Sequence, residues 1–179
     1  MKTSFPMILK NGWIYGLILA AISIVFSLLM YIFNVNMFTI SFGIISFLVF
    51  VVAIPVTIGI LGGNSLRLKF APERQISYLD AVLSCLVIFL IGFLLSNLYS
   101  YIFNNFIDPE FMKQQVAKMT EMLQNYNLPQ EKIDESIAKV EASNNIGKQI
   151  LNSLIISAVL SLLVGLVIRK KDKVEEKMI

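Results

Sequence analysis

The sequence predicts an all-α fold, a four-helix transmembrane bundle with an extracytoplasmic amphipathic helical hairpin between helices three and four. Hydrophobic residues make up 56% of the 179 residues and charged residues 15%, a more apolar balance than soluble domains show. A helix needs about 20 apolar residues to cross ~30 Å of hydrocarbon. Four runs meet this requirement: Trp13–Phe33, Ile40–Leu61, Leu79–Phe103 and Ile150–Ile168. We therefore expect residues 1–179 to form a single integral membrane domain.

The first run has the length of a transmembrane helix. Its 21 residues exceed the ~7–15 of a signal-peptide core, although Lys2 and Lys10 give it a basic start. No A-x-A cleavage motif follows it. We expect the run to be retained as the first span.

A proline interrupts the second run. Pro55 cannot donate a hydrogen bond to Val51, and its ring crowds that carbonyl, so the sequence predicts a kink. Transporters place binding sites at broken helices, and this gives the alternative function, a small transporter or channel that uses the Pro55-kinked helix. No charged residue accompanies the proline, which favours a kink without a substrate site.

Asp80 is the one charged residue within the four runs, and it lies at the start of the third. The segment Ser77-Tyr78-Leu79-Asp80 predicts a capping box, so we expect Asp80 to be structural and not part of a proton relay. In the same run Cys85 is expected to pack as a small apolar residue. The chain has no histidine, which excludes imidazole metal ligation and His-based catalysis.

Small residues recur at four-residue spacing in three of the predicted helices. Close backbone approach drives helix pairing in membranes, and i and i+4 share a face, so the rows predict packing within one bundle. The alternative is a homodimer through one row, for which helix four is the best candidate. The rows are Gly12, Gly16 and Ala20; Gly92, Ser96 and Ser100; and Ser157, Ser161 and Gly165.

Residues 104–149 form the one substantial polar segment, and they predict two amphipathic helices packed as an antiparallel hairpin. Asp108-Pro109 predicts the first helix start, with Asp at the N-cap and Pro at N1. Pro129 begins the second helix. The predicted apolar stripes are Met112, Val116, Met119, Leu123 and Tyr126 on the first helix and Ile133, Ile137 and Val140 on the second. Methionines 112, 119 and 122 are interpreted as core filler in preference to copper(I) ligands.

Positive charge predicts the orientation in the membrane. Ten of the fifteen basic residues lie on one side: Lys2, Lys10, Arg67, Lys69, Arg74, Arg169, Lys170, Lys171, Lys173 and Lys177. The positive-inside rule places both termini, including the tail 169–179, in the cytoplasm and the hairpin outside. Aromatic residues near the outer interface predict a belt, with an aromatic-ligand site at Tyr99, Tyr101 and Phe103 as the alternative.

These observations predict a non-enzymatic membrane protein, an accessory or interaction subunit that uses its outer hairpin. We assign no catalytic, cofactor-binding or metal-binding residues and expect no cofactor. The expected partners are the lipid bilayer and either an envelope protein or a second copy in a homodimer. The net charge of +3 does not indicate nucleic-acid binding, because the basic residues lie at the ends of the apolar runs.

Two short motifs resemble a known family. Ile76–Ala81 (ISYLDA) is similar to an Ile-Ser-Phe-x-Glu-Ala pattern that opens a third span, and Ile107–Phe111 (IDPEF) to an Ile-Asp-Pro-x-Phe pattern that follows it. Gln75, just before the first motif, stands where the family pattern has glycine, and within the motif Tyr78 and Asp80 replace phenylalanine and glutamate. Over nearly the whole chain the layout resembles the bacterial membrane family domain of unknown function 4199 (DUF4199). The resemblance implies a multi-pass inner-membrane protein with four helices and supplies no activity or site residues.

Overall fold

The computed structural model describes residues 5–36, 38–70, 76–143 and 145–169, and over these residues the fold is all-helical. The α-helices are α1 Phe5–Ile32, α2 Ile40–Ser46, α3 Ile54–Phe70, α4 Tyr78–Ile102, α5 Pro109–Asn125, α6 Gln130–Ser143 and α7 Ile146–Ile168. Two π-helical segments also occur. Phe47–Ala53 joins α2 to α3, and Phe103–Ile107 continues α4.

Among the residues that the structure describes, four helical stretches are long and apolar enough to cross a membrane, in agreement with the predicted number of spans. They are Phe5–Ile32, Phe42–Lys69, Tyr78–Ile107 and Ile146–Ile168. The first and fourth begin earlier than the apolar runs do. The length of an apolar run reflects the thickness of the hydrocarbon layer that it crosses. The helix itself is longer, because its backbone hydrogen bonds continue through the polar residues at its ends.

The buried core lies toward the end of the bundle at which α1 begins and α7 ends, called here the terminal end. The opposite end, which carries α5 and α6, is called the hairpin end. Spans α1, α3, α4 and α7 all contribute to the core. Its fully buried members include Ile8, Leu19, Leu66, Ile88, Phe89, Val164 and Ile168.

Small residues let α1 and α4 approach closely. A Cβ added at Gly16 would lie 2.7 Å from Ile91 Cβ, and one added at Gly92 would lie 2.8 Å from Leu19 Cγ. Both distances are well inside the ~3.5–4.0 Å at which carbon atoms pack best. The prediction of packing inside one bundle is therefore confirmed for the glycines of these two rows.

The small-residue row on helix four is also used within the chain. Ser157 and Ser161 are buried, and a Cβ at Gly165 would lie 2.6 Å from Val82 Cγ2 on α4. The row is therefore buried within the chain, and the alternative, a homodimer through this row, stays a prediction that these contacts do not favour. Hydropathy alone does not distinguish an intramolecular from an intermolecular neighbour.

Pro55 is buried and lies two residues after Ala53, the end of a π-helical segment. The wider turn of Phe47–Ala53 accommodates the point at which the proline has no N–H to donate. None of the residues in this segment is buried. Phe26 of α1 stacks on Phe50, within this segment, with ring centroids 3.5 Å apart, and on Phe42, nearer the hairpin end, with centroids 6.5 Å apart.

Two asparagine side chains cross-link the spans. Asn11 donates through Nδ2 to the Gly62 carbonyl at 2.8 Å, near the terminal end. Asn97 donates through Nδ2 to Ser153 Oγ at 2.7 Å and to the Gln149 carbonyl at 3.2 Å, near the hairpin end. Such bonds are worth about 0.6 kcal/mol each on average within membranes, so these side chains help to fix the register of neighbouring helices.

Candidate functional site

Helix α5 begins at Asp108, as the sequence predicts. The Asp108 carboxylate accepts a hydrogen bond from the Phe111 amide at 3.0 Å, and Pro109 occupies the first helical position. The same carboxylate is hydrogen-bonded to the side chain of Tyr31, near the end of α1. One side chain therefore caps α5 and attaches its start to the first span.

An aromatic cluster packs against the start of α5. Tyr31, Phe103 and Phe111 meet in edge-to-face pairs, with ring centroids 5.0 to 5.9 Å apart. Such pairs contribute about 0.5–1.5 kcal/mol beyond their buried area. Tyr99 extends the cluster, since its ring centroid lies 5.8 Å from that of Phe103. The cluster joins α1, the end of the third span and α5.

The predicted aromatic belt is found only in part. Phe33 and Phe106 are 71% and 73% exposed, as residues of an interfacial belt should be. Phe103 is 6% exposed and packs inside the cluster instead. Tyr101 pairs with Phe106, at 6.3 Å between centroids, so the structure does not bring Tyr99, Tyr101 and Phe103 together as one aromatic-ligand site.

Two asparagines end helices in the same way. Asn34, after α1, and Asn127, after α5, have φ of +49° and +52°. After α5 the Asn127 amide donates to Gln124 O at 2.8 Å, and the Leu128 amide donates to Leu123 O at 3.4 Å. This is the Schellman pattern, with asparagine at the left-handed position and a contact expected between Leu123 and Leu128.

Lys118 fastens α5 to the turn that follows α1. Its ammonium donates to the Asn34 carbonyl at 3.2 Å and to Asn34 Oδ1. In that turn, the Phe38 amide donates to Asn36 Oδ1 at 3.0 Å, and Thr39 Oγ donates to the Asn36 carbonyl at 3.3 Å. These bonds fix the position of Phe38 opposite α5.

The buried face of α5 differs from the predicted stripe. Phe111, Gln115 and Met119 are buried, whereas Tyr126 is 63% exposed, so its assignment to the stripe is wrong. Met112, Val116 and Leu123 are half-buried. The face is rotated because α5 packs on the end of the bundle as well as on α6. Gln115 is polar, so no hydropathy pattern could have identified it as buried.

The second helix of the hairpin supplies the other half of the packing. Ile133 is 1% exposed, in agreement with the predicted stripe, and Ile137 and Val140 are half-buried. The opposite face of α6 is charged and solvated. Lys139 donates to Glu135 at 2.6 Å, which holds the pKa of that carboxyl below its usual value.

A cleft lies between the hairpin and the α1–α2 turn. Its volume is about 390 Å³. We call it the hairpin cleft and define it by its lining residues, Phe38, Met119, Met122, Leu123, Tyr126, Leu128 and Ser136. The bonds of Asn36 position one wall, and the Schellman turn at Asn127 positions Leu123 and Leu128 on the other. Met119 and Met122 thus line a cleft in addition to filling the core.

Residues with potential chemistry do not gather in the spans. Cys85 is fully buried, with its Sγ 3.8 Å from the Gly59 carbonyl. Asp80 belongs to the predicted capping box, since Ser77 Oγ accepts from the Asp80 amide at 3.1 Å and donates to Asp80 Oδ2 at 2.7 Å. In the part of the chain that the structure describes, no three His, Cys, Asp or Glu side chains are grouped as metal ligands would be.

Comparison with known proteins identifies the family. A family model described as "Protein of unknown function (DUF4199)" matches residues 14–170, which include most of the first span and all of the other three. No curated protein and no solved structure matches the chain significantly. The resemblance carried by the Ile76–Ala81 and Ile107–Phe111 motifs is confirmed, and the chain belongs to the DUF4199 family.

Proposed function

We propose that this protein is a non-enzymatic accessory or interaction subunit of the bacterial inner membrane, and that it engages an envelope protein through the α5–α6 hairpin. The attachment of the hairpin to the bundle carries this proposal. The aromatic cluster and the Lys118–Asn34 bonds hold α5 at separate points along its length. A hairpin held in this way presents one fixed surface, which lowers the entropic cost of binding.

The outward face of α6 is the surface proposed to meet the partner. Glu131, Asp134 and Glu135 are exposed there, together with Lys132 and Lys139. Helix faces are a common recognition mode, and mixed charge favours specificity over raw affinity. The spans present mainly apolar side chains, with the described charged residues near their ends: Lys10, Arg67, Lys69, Asp80 and Lys148.

The proposed orientation places both termini in the cytoplasm and the hairpin outside. It is supported by the ten basic residues that flank the spans on one side. Single cysteines introduced as Thr3→Cys, Glu131→Cys and Glu175→Cys in a Cys85→Ala background test it with a membrane-impermeant thiol reagent in intact cells. We expect labelling at position 131 alone. Labelling at position 3 or 175 would contradict the orientation.

Affinity purification from native membranes tests the interaction. The triple variant Glu131→Lys, Asp134→Lys and Glu135→Lys should lose the co-purifying protein, because the charge of the recognised face is inverted. The matched control, Glu110→Lys with Glu121→Lys, changes exposed carboxylates on α5 and should retain it. Retention of the same partners after residues 108–145 are replaced by a Gly/Ser linker would refute a role for the hairpin.

A small transporter or channel is the second proposal, and the π-helical segment before Pro55 is the observation that favours it. Such segments are frequent at functional sites. The test is solute flux into proteoliposomes that contain the wild-type protein or Pro55→Ala. Flux that depends on Pro55 would support this function over the interaction subunit, and the absence of flux for ions, sugars and amino acids would exclude it for those solutes.

A further inference from the structure

The hairpin cleft has the lining of a site for an alkyl chain. Its volume of about 390 Å³ lies within the ~300–1,000 Å³ of small-molecule sites. Six of the seven lining side chains are aliphatic, aromatic or thioether groups, and methionines adapt to irregular apolar shapes. The seventh, Ser136, donates its hydroxyl hydrogen to the Lys132 carbonyl at 2.8 Å, so that donor is already used within α6.

The position of the cleft indicates which alkyl chains can reach it. Phe38 lies four residues before Phe42, where the second span begins. Beyond it, Ile44 and Ile45 are 57% and 60% exposed, and they face hydrocarbon when the span crosses a membrane. Apolar surface therefore extends from the second span toward the cleft. Lipid acyl chains are the abundant apolar groups at that depth.

Lys118 places a cation next to the residues of α5 that line the cleft. It precedes Met119 and lies one helical turn before Met122, on the same side of α5. Both hydrogen bonds that the structure gives its ammonium go to uncharged oxygens of Asn34. These bonds leave the positive charge available to attract an anion. A cation beside an apolar cleft matches a phosphate attached to an acyl chain.

We propose that the hairpin cleft binds one acyl chain of an anionic phospholipid, with the lipid phosphate at Lys118. This inference goes beyond the protein partner proposed above, which uses the charged face of α6, and does not depend on it. The bound chain would contact Phe38 on one wall and Leu123 on the other. A lipid would in this way join the hairpin to the turn between the first two spans.

The test uses the full-length protein in nanodiscs of phosphatidylcholine that contain a small fraction of phosphatidylglycerol with a diazirine-bearing acyl chain. After irradiation, mass spectrometry maps the lipid adducts. We expect adducts at Phe38 and at residues 119–128. Ser136→Phe should lower labelling of these residues about tenfold. The new ring would exclude about two methylene groups of the bound acyl chain, and losing the burial of two methylenes weakens binding by about that factor. Ala138→Phe, at an exposed position of α6, should leave labelling unchanged.

Lys118→Gln tests the headgroup contact. We expect it to lower labelling by the phosphatidylglycerol probe several-fold and to lower labelling by a diazirine phosphatidylcholine probe less, because the choline cation of that headgroup already offsets its phosphate charge. Adducts confined to the spans, or equal labelling of the cleft in wild type and Ser136→Phe, would overturn the proposal. Crosslinking of a photoreactive residue at position 123 to a polypeptide in native membranes would also overturn it. If size-exclusion chromatography shows that Ser136→Phe is misfolded, Ser136→Leu makes the same comparison with a smaller added group.

Discussion

Replacement of Gly16 by alanine should destabilise the bundle by breaking the close approach of α1 to α4. The new methyl carbon would lie 2.7 Å from Ile91 Cβ and 3.0 Å from the Ile88 carbonyl oxygen. Neither obstacle is the flexible end of a side chain, so the helices themselves must move apart. Forcing an extra carbon into a packed core costs about 1–3 kcal/mol.

Gly43→Ala is the matched control for this change. Nothing lies within 4 Å of the position that its Cβ would occupy. Both substitutions gain up to about 1 kcal/mol of intrinsic helix propensity. The difference between the two variants therefore isolates the steric term, and we expect Gly16→Ala to be less stable than Gly43→Ala by about 1–3 kcal/mol.

The assay is unfolding of the purified protein in mixed micelles by titration with sodium dodecyl sulfate. Circular dichroism follows the helices, and fluorescence of Trp13, the single tryptophan, follows α1. Equal midpoints for Gly16→Ala and Gly43→Ala would refute the reasoning, since they would show that α1 and α4 have room for a methyl group. A lower midpoint for Gly43→Ala than for wild type would show that α2 is packed more tightly than the structure indicates.

Three further predictions concern the hairpin. Asn127→Gly should leave the protease resistance of the hairpin unchanged, whereas Asn127→Val should lower it. The left-handed conformation at this position costs a β-branched residue about 1–2 kcal/mol. Limited proteolysis of the two variants compares them. Ile133→Asp should raise proteolysis within residues 109–143 more than Val116→Asp does, since Ile133 is fully buried and Val116 half-buried, and unchanged membrane insertion serves as the control. Lys139→Gln should raise the pKa of Glu135, measured by NMR titration. Because this pKa is lowered in the fold, the pair supports α6 above the ordinary carboxyl pKa, and its contribution is lost as the pH falls through the lowered value; an unchanged pKa would contradict the ion pair.

The spans and helix starts could be predicted from sequence because their causes are local. A run of apolar residues determines whether a segment enters hydrocarbon, and the side chains of Ser77 and Asp108 cap helices within three residues of themselves. The number of spans and both caps agree with the structure for this reason. The rows of small residues also predicted close packing correctly, since backbone approach requires the absence of a side chain.

The candidate site depends on tertiary neighbours, and these could not be predicted. The hairpin cleft needs Phe38 and Met122, which are far apart in the chain, and Lys118 reaches Asn34 across 84 positions. The rotation of α5 that buries Gln115 and exposes Tyr126 follows from its contact with the end of the bundle. The left-handed asparagines were the one local signal available, because asparagine tolerates that conformation better than most residues.

The π-helical segment sets the rotational phase of everything that precedes it in the second span. Each residue of an α-helix turns the chain by about 100°, and a π-helical turn absorbs about one extra residue for the same rotation. If Phe47–Ala53 were α-helical at its present length, α2 would be rotated by about that angle relative to α3. Phe42 would then point away from Phe26, and the turn that carries Phe38 would be swung around the span axis. The wider turn in the middle of this membrane helix therefore preserves the alignment of the cleft wall at its end.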